Sequence, residues 1–259
     1  MMRKKLSAFS SSSSSKGNIE LTKTTLKLGS ITVDVVKKDI KNVHLSVYPP
    51  DGRVRISAPL RMSIENIRLF AISKLQWIKL QQGKLINQER ETPREYLERE
   101  SHYLWGKRYL LHVVEIERPS RVEVRHRKLF LYVRPASGTV RRQEVIEEWY
   151  RSQLRDAVQP LIVKWERAIG VKVDKVFVRR MKTKWGSCSR TSSSIRLNTD
   201  LAKKPPSCLE YIVVHELAHL VEPTHNQRFV DLLDRMMPNW RSYRKLLNQL
   251  PVRHENWGY

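Results

Sequence analysis

The chain has 259 residues, 40% of them hydrophobic, which is enough for one large domain or two modest ones and too much for wholesale disorder. Lys and Arg number 49 against 26 Asp and Glu, a formal charge of +23, so polyanions, nucleic acid first among them, are the candidate partners for its surface. No apolar run reaches the ~18 residues of a membrane-spanning helix, and two cysteines, Cys188 and Cys208, are too few for a disulfide-stapled secreted fold; the expectation is a cytoplasmic protein with reduced thiols.

The first residues are basic, but the serine run Ser10–Ser15 stands where the apolar region of a secretory signal would be. Residues 1–18 therefore read as a low-complexity, disordered tail. No internal repeat is evident. From Asn18 to Ser57 apolar residues alternate. A Gly29-Ser30 turn divides the first pair of strands, and Pro49-Pro50-Asp51-Gly52 divides the next. Ser63 can cap a helix running to about Asn87, with Ile64, Ile67, Ala71, Leu75 and Ile78 as its stripe and Trp77 joining the core. Residues 88–99 read as a connection. Beyond them Tyr103–Leu110 and Val113, then Val122–Val133, suggest further antiparallel strands across Gly106 and a basic turn.

A long helix is expected from Thr139 to Ile169, kinked or divided at Pro160 and ended by Gly170. Strand-like Val173–Val178, the turn-rich stretch Met181–Ser189 and a short strand Ser194–Asn198 follow. Pro205-Pro206 then breaks the chain. Ser207 and Glu210 match a capping box for a helix running to about Val221. Phe229–Met237 and Trp240–Leu247 read as two amphipathic helices that close the core. The fold class expected is α+β: a β-rich N-terminal region over 19–135 carrying a helix, then a compact domain over 136–259.

His215-Glu216-Leu217-Ala218-His219 lies on the helix after the prolines. One helical turn separates the two imidazoles, so both project from one face, as two ligands of a zinc ion must. Glu216 lies near that face and can take the proton of a zinc-activated water, the chemistry of metal-assisted hydrolysis. A third ligand is needed. His225 can swing back over the metal after the helix ends; Glu222, three residues past His219, competes from an awkward position. The reading is Zn2+ held by His215, His219 and His225, with Glu216 as general base. The remaining histidines, His44, His102, His112, His126 and His254, are scattered singly, and Cys188 reads as ordinary burial.

The stretches Arg180–Ser189, Ile195–Asn198 and Tyr211–Leu220, followed by His225 and Phe229, resemble the YgjP-like metallopeptidases, relatives of the SprT-like and WLM-type zinc proteases. The likeness is close over roughly 175–250 and looser from about 40 to 135. It implies a zincin-type domain with three histidine ligands and a catalytic glutamate at the same four positions, acting on a protein or peptide substrate. It also implies that Ser194–Asn198 is the sheet edge beside the active-site helix, open to an extended peptide, and that Trp185-Gly186-Ser187 forms a turn supporting the cleft. Asn198, Lys184 and Tyr211 stand as alternative oxyanion stabilisers. Two rival readings are a zinc hydrolase of a non-protein amide or ester, and a basic nucleic-acid-binding protein with a structural zinc; Glu216 argues against the second, because a structural site has no use for it.

Overall fold

The computed structural model describes residues 23–49, 51–87 and 90–253. The serine tract, the start of the first strand reading and His254 lie outside them. Mixed α+β structure falls into two compact units, residues 1–87 and 88–259. The line drawn from sequence at 135/136 falls inside the second unit.

In the first unit, β1 (Lys23–Leu28) and β2 (Ile31–Lys38) form the hairpin expected at Gly29, whose φ of 61° suits glycine. β3 (His44–Tyr48) pairs antiparallel with β4 (Arg53–Pro59), and β4 inserts parallel to β2, giving the order β1-β2-β4-β3. Val33, Val35, Val54 and Ile56 on one sheet face are fully buried with Ile67, Ala71 and Ile78 from the helices. Ser63 caps as expected, its hydroxyl accepting from the Asn66 amide, but the helix is interrupted at Lys74 into α1 (Ile64–Ser73) and α2 (Leu75–Ile86). Trp77 is 44% exposed and stays out of the core.

The second unit repeats this plan. β5 (Ser101–Leu104), β6 (Lys107–Glu115), β7 (Arg121–Arg125) and β8 (Lys128–Val133) pair in the order β5-β6-β8-β7, with β6 and β8 parallel. A helix again follows the fourth strand. The repeat missed in the sequence is thus one of topology, two four-strand sheets of the same winding.

Here the helix is α3 (Thr139–Ile169), unbroken through Pro160. Pro160 and Asp156, whose carbonyl loses its helical donor, are both exposed, so water can satisfy that carbonyl. Ile146, Tyr150, Leu154, Val158, Ile162 and Trp165 recur on one face and join a single core with Leu129 and Leu131 of the sheet and the elements that follow. Gly170, at φ 79°, closes the helix.

β9 (Lys175–Arg179), β10 (Gly186–Ser189) and β11 (Ser194–Asn198) make a sheet of order β10-β11-β9. The Ser194–Asn198 strand is therefore central, parallel to β9 and antiparallel to β10, and not the edge. Beside α4, β10 is the edge: the Ser189–Ser194 hairpin folds it back over the helix.

A 3-10 turn (Thr199–Lys203) leads to α4 (Pro206–Val221), then α5 (Gln227–Met236) and α6 (Trp240–Gln249). The capping box does not form. Pro205 occupies the cap position and Pro206 the first turn, where a missing N–H is no loss. Glu210 instead accepts from Trp165 Nε1 at 3.0 Å and Lys164 Nζ at 2.6 Å, tying α4 to α3.

The C-terminal strap is held by a buried ionic cluster. Arg253 donates to Asp200 through Nε and Nη2 and to Glu147 through Nη1, while Lys203 Nζ lies 2.9 Å from Asp200 and 3.2 Å from Glu91. Burial alone would raise the Asp200 carboxyl, but Lys203 and Arg253 outweigh it and hold it well below the usual carboxylate range. A depressed native pKa stabilises the fold above the unfolded value of ~3.9, and that contribution fades as pH falls through and below it. Arg253→Ala removes a cation from buried Asp200 and Glu147. We expect it to lower unfolding free energy at pH 7 by about 3 kcal/mol, read by urea denaturation, with a smaller difference from wild type at pH 3.

Candidate metal centre

His215 and His219 lie one turn apart on α4. The helix stops at Glu222, and a short turn carries His225 back before Asn226 caps α5 by accepting from the Phe229 amide at 3.1 Å. The three ring centroids form a near-regular triangle, 4.8 Å (His215–His219), 5.0 Å (His215–His225) and 4.7 Å (His219–His225). One nitrogen from each ring lies within 4.8 Å of the others, and His215 Nε2 stands 3.1 Å from His225 Nε2.

His219 Nδ1 lies 3.1 Å from the Glu222 carbonyl, which makes Nδ1 the protonated nitrogen and leaves Nε2 as a free lone pair. Burial, then the neighbouring His219 and His225, push His215 down to about 3 and hold it neutral, the form that binds metal. Three converging imidazoles fit a divalent metal, since a cation resolves the apposition of their lone pairs. Glu222, the competing third ligand, is outside the cluster: its carboxylate accepts from Thr224 Oγ1 at 3.1 Å, and its contribution is the backbone carbonyl on His219.

Sequence reading gave Phe229 only a place in a helix that closes the core. Phe229, 2% exposed, packs against all three imidazoles at centroid distances of 5.0, 4.6 and 4.8 Å and forms the floor that fixes them. Its spacing of four from His225 across a capped helix start was the available signal.

Glu216 is 4% exposed, and burial pushes its carboxyl up to about 7, with Lys184 pulling the other way. It lines a cleft of about 410 Å³ together with the three histidines, Lys184 and the strand β10. Gly186 is the closest wall: a Cβ built on it would lie 2.5 Å from Glu216 Oε1. Residue 186 thus begins a strand that presses its backbone on the glutamate, a closer role than the supporting turn expected of it. The YgjP-like, metallopeptidase domain family matches residues 41–250.

The chain belongs to the YgjP-like metallopeptidase family.

Membership implies a divalent metal and protein or peptide substrates. Two solved structures are similar over part of the chain. The metallopeptidase zymogen abylysin of Pyrococcus abyssi is 22% identical, over 38% of this chain and 99% of its own, with a TM-score of 0.34. The metallopeptidase zymogen jannalysin of Methanocaldococcus jannaschii is 22% identical, over 37% and 94%, with a TM-score of 0.31. Among curated proteins, none matches the chain. Among the described residues no helix is long and apolar enough to cross a membrane.

The three oxyanion candidates of this YgjP-like chain separate by geometry. Asn198 is buried and spent on the backbone, donating to the Met181 and Lys184 carbonyls at 2.8 and 2.9 Å and accepting from the Asp200 amide at 3.2 Å. Tyr211 is 4% exposed, stacks on Trp240 at 6.2 Å and meets the His215 ring edge-on at 5.8 Å from behind, without itself lining the cleft. Lys184 lines the cleft, on the loop that Asn198 holds. Cys188 is half-buried in the same lining, outside the histidine cluster.

Proposed function

We propose that the chain is a zinc-dependent peptidase in which His215, His219 and His225 hold Zn2+ and Glu216 is the general base. The observation that carries the reading is the convergence of three imidazole nitrogens beside a buried carboxylate on one wall of an open cleft. The 3.1 Å separation of two Nε2 atoms is close to the ~3.3 Å edge of a tetrahedron with Zn–N bonds near ~2.05 Å. When bound, the ion supplies Lewis acidity to the scissile carbonyl and to water.

The chain's own residues do the rest. An extended substrate pairs with the free side of β10, the edge strand beside the cleft, through main-chain hydrogen bonds. Glu216 takes the proton of the attacking water on its carboxylate and passes it to the leaving amine; a carboxyl near 7 is matched to both transfers. Lys184 faces the charge that develops on the carbonyl oxygen. Of the rivals, a structural zinc site does not account for a buried carboxylate lining the same open cleft as the three histidines.

The test is cleavage of a peptide library by the zinc-loaded chain, with a chelator-treated sample alongside. Peptide cleavage lost on chelation and regained with zinc supports the reading; absence of peptide cleavage with hydrolysis of simple esters or amides transfers it to the non-protein rival. Lys184→Ala is expected to lower kcat by about 10²-fold with KM and zinc content near wild type, and Lys184→Arg to recover part of the loss. An unchanged kcat would remove Lys184 from the mechanism.

A further inference from the structure

We propose that the outward face of the β5–β8 sheet, with the basic groove at its end, binds single-stranded nucleic acid. The inference stands on a different surface from the metal centre and does not depend on it.

β8 sorts its side chains between two environments. Leu129, Leu131 and Val133 are fully buried, while Lys128, Phe130 and Tyr132 point the other way. Strand register sets His112 beside Phe130, Arg121 beside Tyr132, and Leu110 and Arg125 beside Lys128. The rings form a ladder: Phe130 and Tyr132 are stacked at 6.4 Å and 21°, and His112 meets Phe130 edge-on at 5.1 Å. Arg121 lies 4.0 Å from the Tyr132 ring. On the neighbouring strands Tyr103 and Leu110 are each 39% exposed.

The charge of this face is one-sided. Glu123 pairs with Arg121 and Arg125, and Glu98 with His112. Among the described residues, Arg108 and Lys128 have no ion pair. The same holds for Lys107 and Arg127, which with His126, Tyr109, Arg108 and Leu110 line a groove of about 830 Å³. Arg108 and Leu110 belong to both face and groove, so the two are continuous.

Apolar rings flanked by unneutralised cations suit a ligand with flat faces and a phosphate chain. A duplex hides the base faces that the ladder would stack, which selects a single strand. The fold does not demand the ladder. The first unit has the same winding, yet β3 and β4 there present His44, Ser46, Tyr48 and Arg55, with Arg53 neutralised by Asp34.

The test is fluorescence anisotropy of a fluorescein-labelled oligo(dT) with the full chain across a salt series. We expect saturable binding whose log K falls linearly with log salt. Phe130→Ala/Tyr132→Ala should weaken it roughly tenfold while leaving the salt slope unchanged. Arg108→Ala/Lys128→Ala should make the slope shallower by about 1.4, at ~0.7 per phosphate contact. If the ring variant misfolds, as circular dichroism would reveal, the cation variant still decides. Arg179→Ala/Arg196→Ala, a charge-matched change on the β9–β11 sheet, should bind as wild type. Equal binding of a blunt duplex, equal competition by polyglutamate, or equal loss in the Arg179/Arg196 control would each overturn the proposal, the last by showing a diffuse field.

Discussion

Glu216→Gln is expected to reduce peptide cleavage by about 10³-fold while zinc content stays at the wild-type level. Gln keeps the shape of the side chain, so the packing against Gly186 survives. What it loses is the ability to accept a proton: an amide oxygen is far too weak a base near neutral pH. The site offers no obvious substitute, because Glu216 is the acidic side chain lining the cleft, and the other ionisable groups there are Lys184, Cys188, Arg190 and the histidines. The measurement is kcat/KM on a cleaved library peptide with zinc determined on the same sample. A variant with wild-type turnover would show that Glu216 is not the base. A variant that had lost its zinc would show that the carboxylate holds the metal site together.

Gly186→Ala should be nearly as damaging, for a steric reason. Its Cβ would fall 2.5 Å from Glu216 Oε1, 2.8 Å from Cγ and 2.9 Å from Cδ, separations that real carbons do not tolerate. Neither partner yields easily. Gly186 is paired to Leu197 in the β10–β11 ladder, and Glu216 is anchored on α4 and 96% buried by its 4% exposure. Either the strand lifts or the carboxylate turns, and a displacement of ~1 Å at a reacting group lowers rate by about 10²-fold. We expect that loss in kcat, together with ~1–3 kcal/mol of destabilisation from overpacking. Zinc content should hold, because the three atoms nearest the added Cβ all belong to Glu216 and none to a histidine. Wild-type kinetics would mean that the contact between strand and glutamate has no catalytic consequence.

The parts of this molecule legible from sequence are those encoded locally. The pattern His215-Glu216-x-x-His219 announces its own geometry, because helical periodicity places both rings on one face. Gly29 and Gly170 mark a hairpin and a helix end, where a positive φ admits little else. What escaped depends on partners distant in the chain. Ser207 and Glu210 have the spacing of a capping box, but two prolines already start the helix and Glu210 finds Trp165 and Lys164 across the core. Ser194–Asn198 was expected at the edge, yet parallel pairing to β9 makes it central, and such pairing leaves no mark in either strand's own sequence. Pro160 does not divide its helix because the affected turn faces water. The doubled four-strand plan is marked by glycines in the first hairpin of each unit, Gly29 and Gly106, and by a proline at or just past the end of the fourth strand, Pro59 and Pro135. Two such residues per unit are too sparse to announce a repeat among strands of differing length.

The third ligand is the point at which sequence left two alternatives and geometry favours one. His225 completes the triangle of imidazoles, while Glu222 turns its carboxylate to Thr224. Zinc content by elemental analysis, on wild type and on His225→Ala, tests the account at this point. The account predicts about one zinc per wild-type chain and a small fraction of that in the variant. A folded wild-type chain that takes up no zinc when it is offered, or a variant that keeps its full complement, would contradict it.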